Sequence, residues 1–331
     1  MPRILILADD LTGAADSAAA FLGLVHEIGV ALDARARTRA AVLAIDLDTR
    51  SRPERAARAI VHKAFSSRAA RSARILFKKI DSTLRGHVAA ELAAACGALG
   101  RGRQVIFAPA FPAQGRTTRS GRLYVNGVPL RGAPRLPMLD AASDADLDAI
   151  ARAGLALRPP PLFVGSAGLA CAIARTFRRA HPRRARPARR HRILPRPVIT
   201  VVGSASPVSV RQAARLSRSR VLGKNDLLVQ LEWTREPTSK DMPVVRRLGR
   251  MVATFGPRAH YVLTGGETAR AVLGAREIRE LQLLGEVAPG VPFGVARDGT
   301  LVCTKAGAFG APDVLARCVA RLKSEMMRAR L

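Results

Sequence analysis

The residues best suited to chemistry form one nine-residue stretch, Lys78 to Gly86 (KKIDSTLRG). It holds three cations, one carboxylate and two hydroxyls directly after an apolar run, residues 73–77, that predicts a buried strand. A helix is predicted from Val88, so the polar residues lie on a strand-to-helix turn, where open α/β sheets bind ligands. Cations alone would predict an anion contact. Together with the hydroxyls and Asp81, they predict a polyhydroxylated anion with chemistry at one of its hydroxyls.

Three further polar clusters follow predicted strands in the first half of the chain. The ADDLTG segment carries Asp9 and Asp10, which could orient hydroxyls, hold a divalent metal or act as a general base, although Asp also caps helices. The TRSR segment ends at Arg52, which could bind a carboxylate bidentately or lie in solvent. The PAFPAQGRTT segment offers Arg116 beside two threonines. Four such clusters at strand ends predict one shared cleft.

The second half of the chain carries turns rich in glycine and hydroxyl groups. The segments GSASP (residues 203–207), TGGET (264–268) and KAGAFG (305–310) each precede a predicted helix. Glycine lets backbone N–H groups approach phosphate, and helix N-termini favour negative charge. The same residue types also form ordinary capped turns, and none of the three is a Walker A sequence. Together with a polyol-anion site in the other half, they indicate a nucleotide half and a sugar half, which is the organisation of a kinase.

Apolar strand-like runs alternate with alanine-rich helical stretches, a pattern that predicts an α/β fold. Residues 175–196 hold ten arginines, three prolines and no acid, which predicts an exposed linker, with an anion-binding arm as the alternative. We therefore expect a domain at 1–174, an Arg-rich linker at 175–197 and a second domain at 198–331. The expected architecture is two α/β domains with largely parallel sheets and an active site in the interdomain cleft. Asn126-Gly127 predicts a tight hairpin turn.

The composition limits the class of protein. A formal net charge of +30 would attract nucleic acid non-specifically, but aromatic residues make up only 4% and do not alternate with basic ones, so no nucleic-acid partner is expected beyond that attraction. No apolar run approaches a membrane span, and a cytoplasmic location is expected because the first residues lead directly into a strand. The four cysteines lack CxxC spacing, so we expect reduced thiols and do not expect a zinc site.

These motifs together resemble one family. Nine segments are similar to segments of the four-carbon acid sugar kinase family, and they occur in family order over nearly the whole chain. They are ADDLTGA, TRSR, KKIDSTLRG, PAFPAQGRTT, YVNGVPL, GSAGLA, GSASPVS, TGGET and KAGAFG. Members of that family phosphorylate threonate, erythronate or their oxo forms with ATP. The resemblance implies a sugar-acid-binding N-terminal domain and a nucleotide-binding C-terminal domain. It also implies transfer to the terminal 4-hydroxyl, with Mg²⁺ bridging the phosphate oxygens.

The chemistry of the residues at the matching positions predicts their roles. The expected catalytic residues are Asp10, Asp81 and Lys79, with Asp10 or Asp81 accepting the hydroxyl proton. The expected substrate-binding residues are Asp9, Arg52, Lys78, Ser82, Arg85 and Arg116. The expected nucleotide-binding residues are Ser204, Ser206, Gly265, Gly266, Glu267, Thr268, Gly307 and Gly310. No residue is expected to be a dedicated metal ligand.

The chain also departs from the family pattern. It is shorter, with length missing between Leu130 and Leu139 and again between Leu216 and Tyr261. Ala308 stands where the family usually has a glycine, and its methyl group would crowd a nucleotide. An alternative function is therefore a catalytically impaired paralogue that binds sugar acid or nucleotide as a sensor. A third hypothesis is a nucleic-acid-associated protein that binds through the Arg-rich segment. The oligomeric state is left open, a homodimer among the options.

Overall fold

Buried strands and amphipathic helices alternate along the chain in the computed structural model of the protein, which describes residues 3–25, 27–33, 40–100, 102–134, 136–180, 192–235, 238 and 241–329. The chain divides into two compact units, Met1–Arg186 and Pro187–Leu331. Of the Arg-rich linker expected at 175–197, residues 181–191 lie outside the described residues.

The first unit is built on a parallel sheet. Its strands are β1 Ile4–Ala8, β2 Ile28–Ala31, β3 Val42–Asp46, β4 Ile75–Lys79, β5 Val105–Ala108, β6 Arg116–Arg119, β7 Arg122–Val125, β8 Val128–Pro129 and β9 Leu162–Gly165. Its helices are α1 Leu11–Ala19, α2 Glu54–Phe65, α3 Arg68–Ser72, α4 Val88–Leu99, α5 Asp144–Ala156 and α6 Ala167–Ala180. The described strands pair in the order β2-β3-β1-β4-β9-β5, and every pair among them is parallel.

The central strands of this sheet are apolar because helices cover both faces. Leu5, Ile6 and Leu7 of β1 are buried, and Phe77 of β4 lies in the same layer. A strand covered on both faces reads as a continuous apolar run, which is the pattern of residues 4–8. Burying a side chain of this size stabilises the fold by roughly 1.5–3 kcal/mol.

A small antiparallel sheet, β6-β7-β8, lies between β5 and β9 in chain order. The turn between β7 and β8 consists of Asn126 and Gly127, which have φ values of 50° and 82°. Two successive positive φ values define the type I′ turn that Asn-Gly favours, so the hairpin prediction is confirmed.

The second unit has a mixed sheet. Its strands are β10 Val198–Val202, β11 Leu227–Gln230, β12 His260–Thr264, β13 Glu280–Ala288, β14 Val291–Val295 and β15 Leu301–Lys305. Its helices are α7 Pro207–Ser217, α8 Met242–Phe255, α9 Gly266–Ala275 and α10 Val314–Arg328. Strands β11-β10-β12-β15 pair in parallel, and β15-β14-β13 continue the sheet antiparallel. Its core joins Val198, Val262 and Phe293 to Leu315 of α10.

The expected α/β class with largely parallel sheets is confirmed. Sequence reasoning missed β2, α3, β6, α5 and β13. The sequence of β2 (IGVA) is short and contains a glycine, which weakens a strand signal. The start of α5 is set by a capping box, in which Ser143 and Asp146 each bind the other's backbone N–H.

Candidate functional site

The carboxyl ends of the parallel strands bring the four polar clusters of the first unit to one edge of its sheet. Ala8, the last residue of β1, is level with Asp46 of β3 and with Lys79 of β4. Lys79 is in turn level with Gly165 of β9, and Ala108 of β5 pairs with Gly165 as well. Each polar cluster follows one of these strand ends, so the clusters start from the same edge.

Arg50 links three carboxylates at this edge. Its Nε and Nη2 donate to the two carboxylate oxygens of Asp9 at 2.8 and 2.9 Å, and Nη2 also donates to Oδ1 of Asp10 at 2.8 Å. The same nitrogen lies 3.8 Å from Oδ1 of Asp81. The loop is held in place because the backbone N–H groups of Thr49 and Arg50 both donate to the carbonyl oxygen of Asp9. This bidentate arrangement makes Arg50 the organising cation of the site.

Arg52, which the sequence analysis expected to bind substrate, lies outside this cluster. Its guanidinium binds the carboxylate and the backbone carbonyl of Asp48, and its side chain is 43% exposed, against 18% for Arg50. The backbone carbonyl oxygen of Arg52 lies 2.7 Å from Nε2 of His87. The structure thus brings Arg50 and not Arg52 to the carboxylates, a difference that the sequence does not signal because loop residues have no periodic orientation.

Asp10 both caps α1 and faces the cations. Its Oδ1 accepts from the backbone N–H of Gly13 at 3.0 Å, and its Oδ2 accepts from the hydroxyl of Thr12 at 2.6 Å. Burial raises the pKa of Asp10, but the charges of Arg50 and Lys79 and the Thr12 hydrogen bond outweigh burial and hold the pKa below its usual value. Asp10 therefore has the capping role that the sequence allowed and also belongs to the charged cluster.

Asp81 is held by donors from its own turn. Arg85 donates to it through Nε at 2.9 Å and Nη2 at 2.7 Å, and the Thr83 hydroxyl donates at 2.5 Å. Burial raises the pKa of Asp81, whereas the charge of Arg50 and the bonds from Arg85 and Thr83 lower it far more, so that the pKa lies well below its usual range. The φ of Leu84 is 59°, and that of Gly86 is 85°, which lets the turn close on Asp81.

The two adjacent lysines of β4 point to opposite faces of the sheet, as neighbouring strand residues must. Lys78 is buried, and its Nζ lies 2.6 Å from Oε2 of Glu91 in α4. Lys79 is directed to the other face: its Nζ donates to the carbonyl of Ile80 at 2.8 Å and lies beside Gly13, where an added Cβ would be 2.6 Å from it. The cluster thus includes Lys79, and Lys78 forms a buried ion pair away from it.

Arg116 brings a further cation to the cluster. Its Nη1 donates to the carbonyl of Gln114, while its Nε is buried without a hydrogen-bond partner in the described structure. Burial lowers the pKa of Arg116, the charge of Asp81 raises it and that of Arg85 lowers it, leaving the pKa below its usual value. Ser82 lies half-buried on the same turn as Asp81. A buried guanidinium N–H without a partner is suited to an anionic ligand.

The segment between Leu130 and Leu139, where the chain is shortened, is hydrogen-bonded at both ends to neighbouring parts of the first unit. The backbone N–H of Leu130 donates to the carbonyl of Leu123, and that of Leu139 donates to Phe107, each at 2.8 Å. Met138 is buried in the core. The unit therefore keeps backbone pairing and apolar packing at both ends of the shortened segment.

The predicted nucleotide-binding residues of the second unit also gather at one edge of a sheet. Val202 is level with Thr264, and Thr264 with Lys305, so the turns after β10, β12 and β15 start side by side. An added Cβ at Gly307 would lie 2.1 Å from Oγ of Ser204, and one at Gly203 would lie 2.1 Å from Oγ1 of Thr268. The three turns thus pack as closely as glycine permits.

Two helices begin at these turns without a side-chain cap. Ser206 precedes α7 and makes no side-chain bond to the first turn of that helix, and Gly265, which precedes α9, has no side chain to cap it. Gly265 has a φ of 97°, and Gly266 and Glu267 form the start of α9. Uncapped first-turn N–H groups and the helix dipole favour a negative ligand.

The loop after β15 presents further backbone donors. Within the described structure, the N–H groups of Gly307, Ala308 and Gly310 donate no hydrogen bond to protein. Gln212 Nε2 holds the loop from beneath by donating to three of its carbonyls, at 2.9–3.1 Å. A set of unpaired N–H groups in a glycine-bearing loop forms an anion-binding concavity.

No group of three or more His, Cys, Asp or Glu side chains among the described residues is placed to hold a metal ion. No helix in that part of the chain is long and apolar enough to cross a bilayer.

Comparison with known proteins matches each half to a family model. Residues 4–136 match the model of a sugar-binding N-terminal domain, and residues 229–315 match that of a nucleotide-binding C-terminal domain. The chain is similar in fold to a Salmonella typhimurium LT2 protein described as a tRNA synthase, with a TM-score of 0.73 and 19% identity over 95% of this chain and 98% of that one. At that identity the similarity concerns the fold alone.

Curated relatives match nearly the whole chain. A D-threonate kinase of Cupriavidus necator is 34% identical, with 94% of this chain and 96% of the relative covered. A D-threonate kinase of Bordetella bronchiseptica is 31% identical over 409 residues, with 97% of this chain and 98% of the relative covered. Since this chain has 331 residues, that relative contains segments without a counterpart here, as expected for a shortened member. The chain belongs to the four-carbon acid sugar kinase family.

Proposed function

We propose that the protein is an ATP-dependent kinase that phosphorylates a four-carbon sugar acid (threonate, erythronate or 3-oxo-tetronate) at its terminal 4-hydroxyl. The first unit binds the sugar acid and the second binds the nucleotide. The observation that carries the proposal is the Arg50-centred cluster, which combines fixed carboxylates with Lys79 and the unpartnered Nε of Arg116. The relatives named D-threonate kinase support the same substrate class.

The cluster suits a hydroxylated anion for electrostatic reasons. Arg116 and Lys79 retain donor capacity toward a substrate carboxylate or a transferring phosphoryl group, because an ammonium has three donors and Lys79 uses one on a backbone carbonyl. The carboxylates Asp9 and Asp10 are acceptors for substrate hydroxyls. In phosphoryl transfer the protein mainly positions the reactants and neutralises charge, and this cluster supplies both.

We assign the hydroxyl proton to Asp10 rather than Asp81. The carboxylate of Asp81 already accepts hydrogen bonds from Arg85 and Thr83. Its pKa lies well below the usual range, which makes it a poor proton acceptor. Asp10 is also slightly more exposed, with 12% of its side chain accessible against 9% for Asp81. Asp81 then serves to hold Arg85 and its turn in position.

Substitution of each aspartate separates these roles. Asp10→Asn should lower kcat by about 100-fold or more, which is the usual contribution of a general base. Asp81→Asn should mainly raise KM for the sugar acid, because Arg85 loses its anchor. A kcat that falls with Asp81→Asn and is retained in Asp10→Asn would reverse the assignment.

The second unit fits a nucleotide on its own geometry. The uncapped starts of α7 and α9 and the free N–H groups of the 306–310 loop would bind its phosphates. Mg²⁺, which neutralises charge on the phosphates, is expected to arrive with the nucleotide, since Mg²⁺ in kinases is held largely by substrate phosphates.

A panel of tetronates tests the proposal. Purified protein is incubated with ATP, Mg²⁺ and each of D- and L-threonate, D- and L-erythronate and 3-oxo-tetronate, and ADP release is measured. We expect ADP release with at least one compound and none without acceptor. Release with none of them would contradict the proposal.

A catalytically impaired, ligand-binding paralogue is the second candidate. The observation that favours it is Ala308, an exposed residue of the 306–310 loop that carries a methyl group where the family usually has a glycine. In that case threonate and ADP would each raise the melting temperature while no ADP is released. Ala308→Gly would then be expected to increase turnover.

A further inference from the structure

Lys305 is a buried lysine whose ammonium lies beneath the 306–310 loop. It is the last residue of β15, and only 1% of its surface is exposed. Its Nζ donates to the carbonyls of Ala306 at 2.9 Å, Gly307 at 3.0 Å and Phe309 at 3.1 Å. The hydroxyl of Ser209 in α7 lies 3.3 Å from the same nitrogen.

These bonds help to set the direction of the loop's N–H groups, together with those from the Ser209 hydroxyl to the Gly307 carbonyl at 2.6 Å and from Gln212 Nε2 to the Phe309 carbonyl at 3.1 Å. In a planar trans peptide, the carbonyl of one residue and the N–H of the next point in opposite directions. Turning the three carbonyls inward to Lys305 therefore turns the N–H groups of Gly307, Ala308 and Gly310 outward. These are the N–H groups that donate to no protein acceptor within the described structure.

The ammonium is costly at this position and is not neutralised by a carboxylate. Among the described residues, Lys305 forms no ion pair, and its contacts are carbonyl and hydroxyl oxygens. A buried cation without a counter-charge destabilises a fold unless hydrogen bonds offset the cost. A methionine or leucine would fill the same space without that cost, so the cation points to a role beyond packing.

We propose that Lys305 is a positioning residue for the nucleotide: by holding three carbonyls of the 306–310 loop, it orients the loop's N–H groups toward the phosphates. This inference rests on the proposed function, because it assumes that the second unit binds a nucleotide. Lys305 touches no phosphate itself in this arrangement and acts through the loop.

The arrangement predicts a pH dependence. Burial lowers the pKa of Lys305 to about 8, and the charges of Cys318 and Cys303 act in the opposite direction. The titratable groups that face it are Cys303 on β15 and Cys318 on α10. The pKa of Cys303 is raised well above its usual value, first by the hydrogen bond that its thiol donates to Cys318 and then by burial. Above pH 8 the neutral amine keeps two donors for three carbonyls, so the loop should loosen.

The test compares ADP binding by calorimetry for the wild type, Lys305→Met and the exposed control Lys224→Met at pH 7, 8 and 9. For the wild type, we expect the Kd for ADP to rise from pH 7 to pH 9. For Lys305→Met, we expect a Kd at least tenfold higher at pH 7, without that pH dependence, and a threonate Kd within twofold of the wild type. The control should behave as the wild type does.

Each result has a defined meaning. ADP binding that is unchanged in a folded Lys305→Met protein would overturn the role of Lys305 and leave the proposed function intact. No ADP binding by the wild type would overturn both. If Lys305→Met does not fold, the wild-type profile decides: a Kd that is constant from pH 7 to pH 9 contradicts the proposal, and a rise supports it.

Discussion

Replacing Arg50 by methionine should disrupt both the stability and the activity of the first unit. The substitution removes the donors to both oxygens of Asp9 and one donor to Asp10, and it takes away the charge that lies 3.8 Å from Asp81. Three carboxylates would remain close together without their shared counter-ion. Methionine keeps much of the side-chain volume, so the loss is mainly one of charge and hydrogen bonds.

The magnitude follows from burial. Removing one partner of a buried ion pair typically costs about 3–5 kcal/mol, and Arg50 and Asp9 are both largely buried. The cost should be greatest at neutral pH. In the wild type, the depressed pKa of Asp10 stabilises the fold above the unfolded value of about 4, and that contribution is lost as the pH falls. Without Arg50 the pKa of Asp10 rises, so the variant should lose less stability relative to wild type at pH 4 than at pH 7.

Arg52→Met is the matched control. It removes the same charge two residues away, from a side chain that is 43% exposed and pairs with Asp48. Urea unfolding at pH 7 should give a free-energy loss of about 1 kcal/mol or less for Arg52→Met. In ADP-release assays, kcat/KM for threonate should fall at least 100-fold in Arg50→Met and less than threefold in Arg52→Met. Similar losses in the two variants would refute the central role of Arg50.

Three further predictions test other parts of the structure. Gly13→Ala places a Cβ 2.5 Å from Oδ1 of Asp10, so the Kd for threonate should rise at least tenfold, whereas Gly97→Ala, in open space on α4, should leave it unchanged; equal effects would contradict the close approach. His260 is buried, and burial lowers its pKa from 6.5 to about 4, so the unfolded state takes up the proton first as the pH falls. The wild type should therefore lose about 3 kcal/mol more stability between pH 7 and pH 4 than His260→Gln does, and parallel unfolding curves would refute this. Trp233 is the single tryptophan, and its indole donates to the carbonyl of Gly203 at 2.9 Å, so its fluorescence should change with ADP and not with threonate; the reverse response would contradict the placement of the nucleotide.

The sequence predicted the edges of the sheets better than the directions of side chains. Strand-to-helix turns at residues 8–13, 78–86, 203–207 and 264–268 were found from apolar runs that end in polar clusters, because parallel strands align their carboxyl ends. The opposite orientations of Lys78 and Lys79 can be predicted from the sequence, because adjacent residues of a strand face opposite sides of the sheet. This alternation accounts for the ion pair between Lys78 and Glu91 of α4, on the face opposite to Lys79.

Other features have no local signal in the sequence. Arg50 and Arg52 share one loop, and only the backbone bonds from residues 49 and 50 to Asp9, 40 residues away, decide which arginine reaches the carboxylates. Lys305 opens the glycine-bearing KAGAFG turn in the sequence, but its contacts follow from a loop whose carbonyls converge on it. Such contacts depend on tertiary packing and therefore require coordinates.

The most direct test of the central claim is phosphorus-31 NMR of the purified protein with ATP, Mg²⁺ and the preferred tetronate. We predict a new phosphomonoester signal split by two methylene protons, which identifies phosphorylation at the terminal 4-hydroxyl, and we predict that Arg50→Met abolishes it while Arg52→Met retains it. A phosphomonoester signal coupled to a single proton would place the phosphate on another hydroxyl. No new signal from a wild-type protein that binds both ADP and the tetronate would contradict the claim that this protein is a sugar-acid kinase.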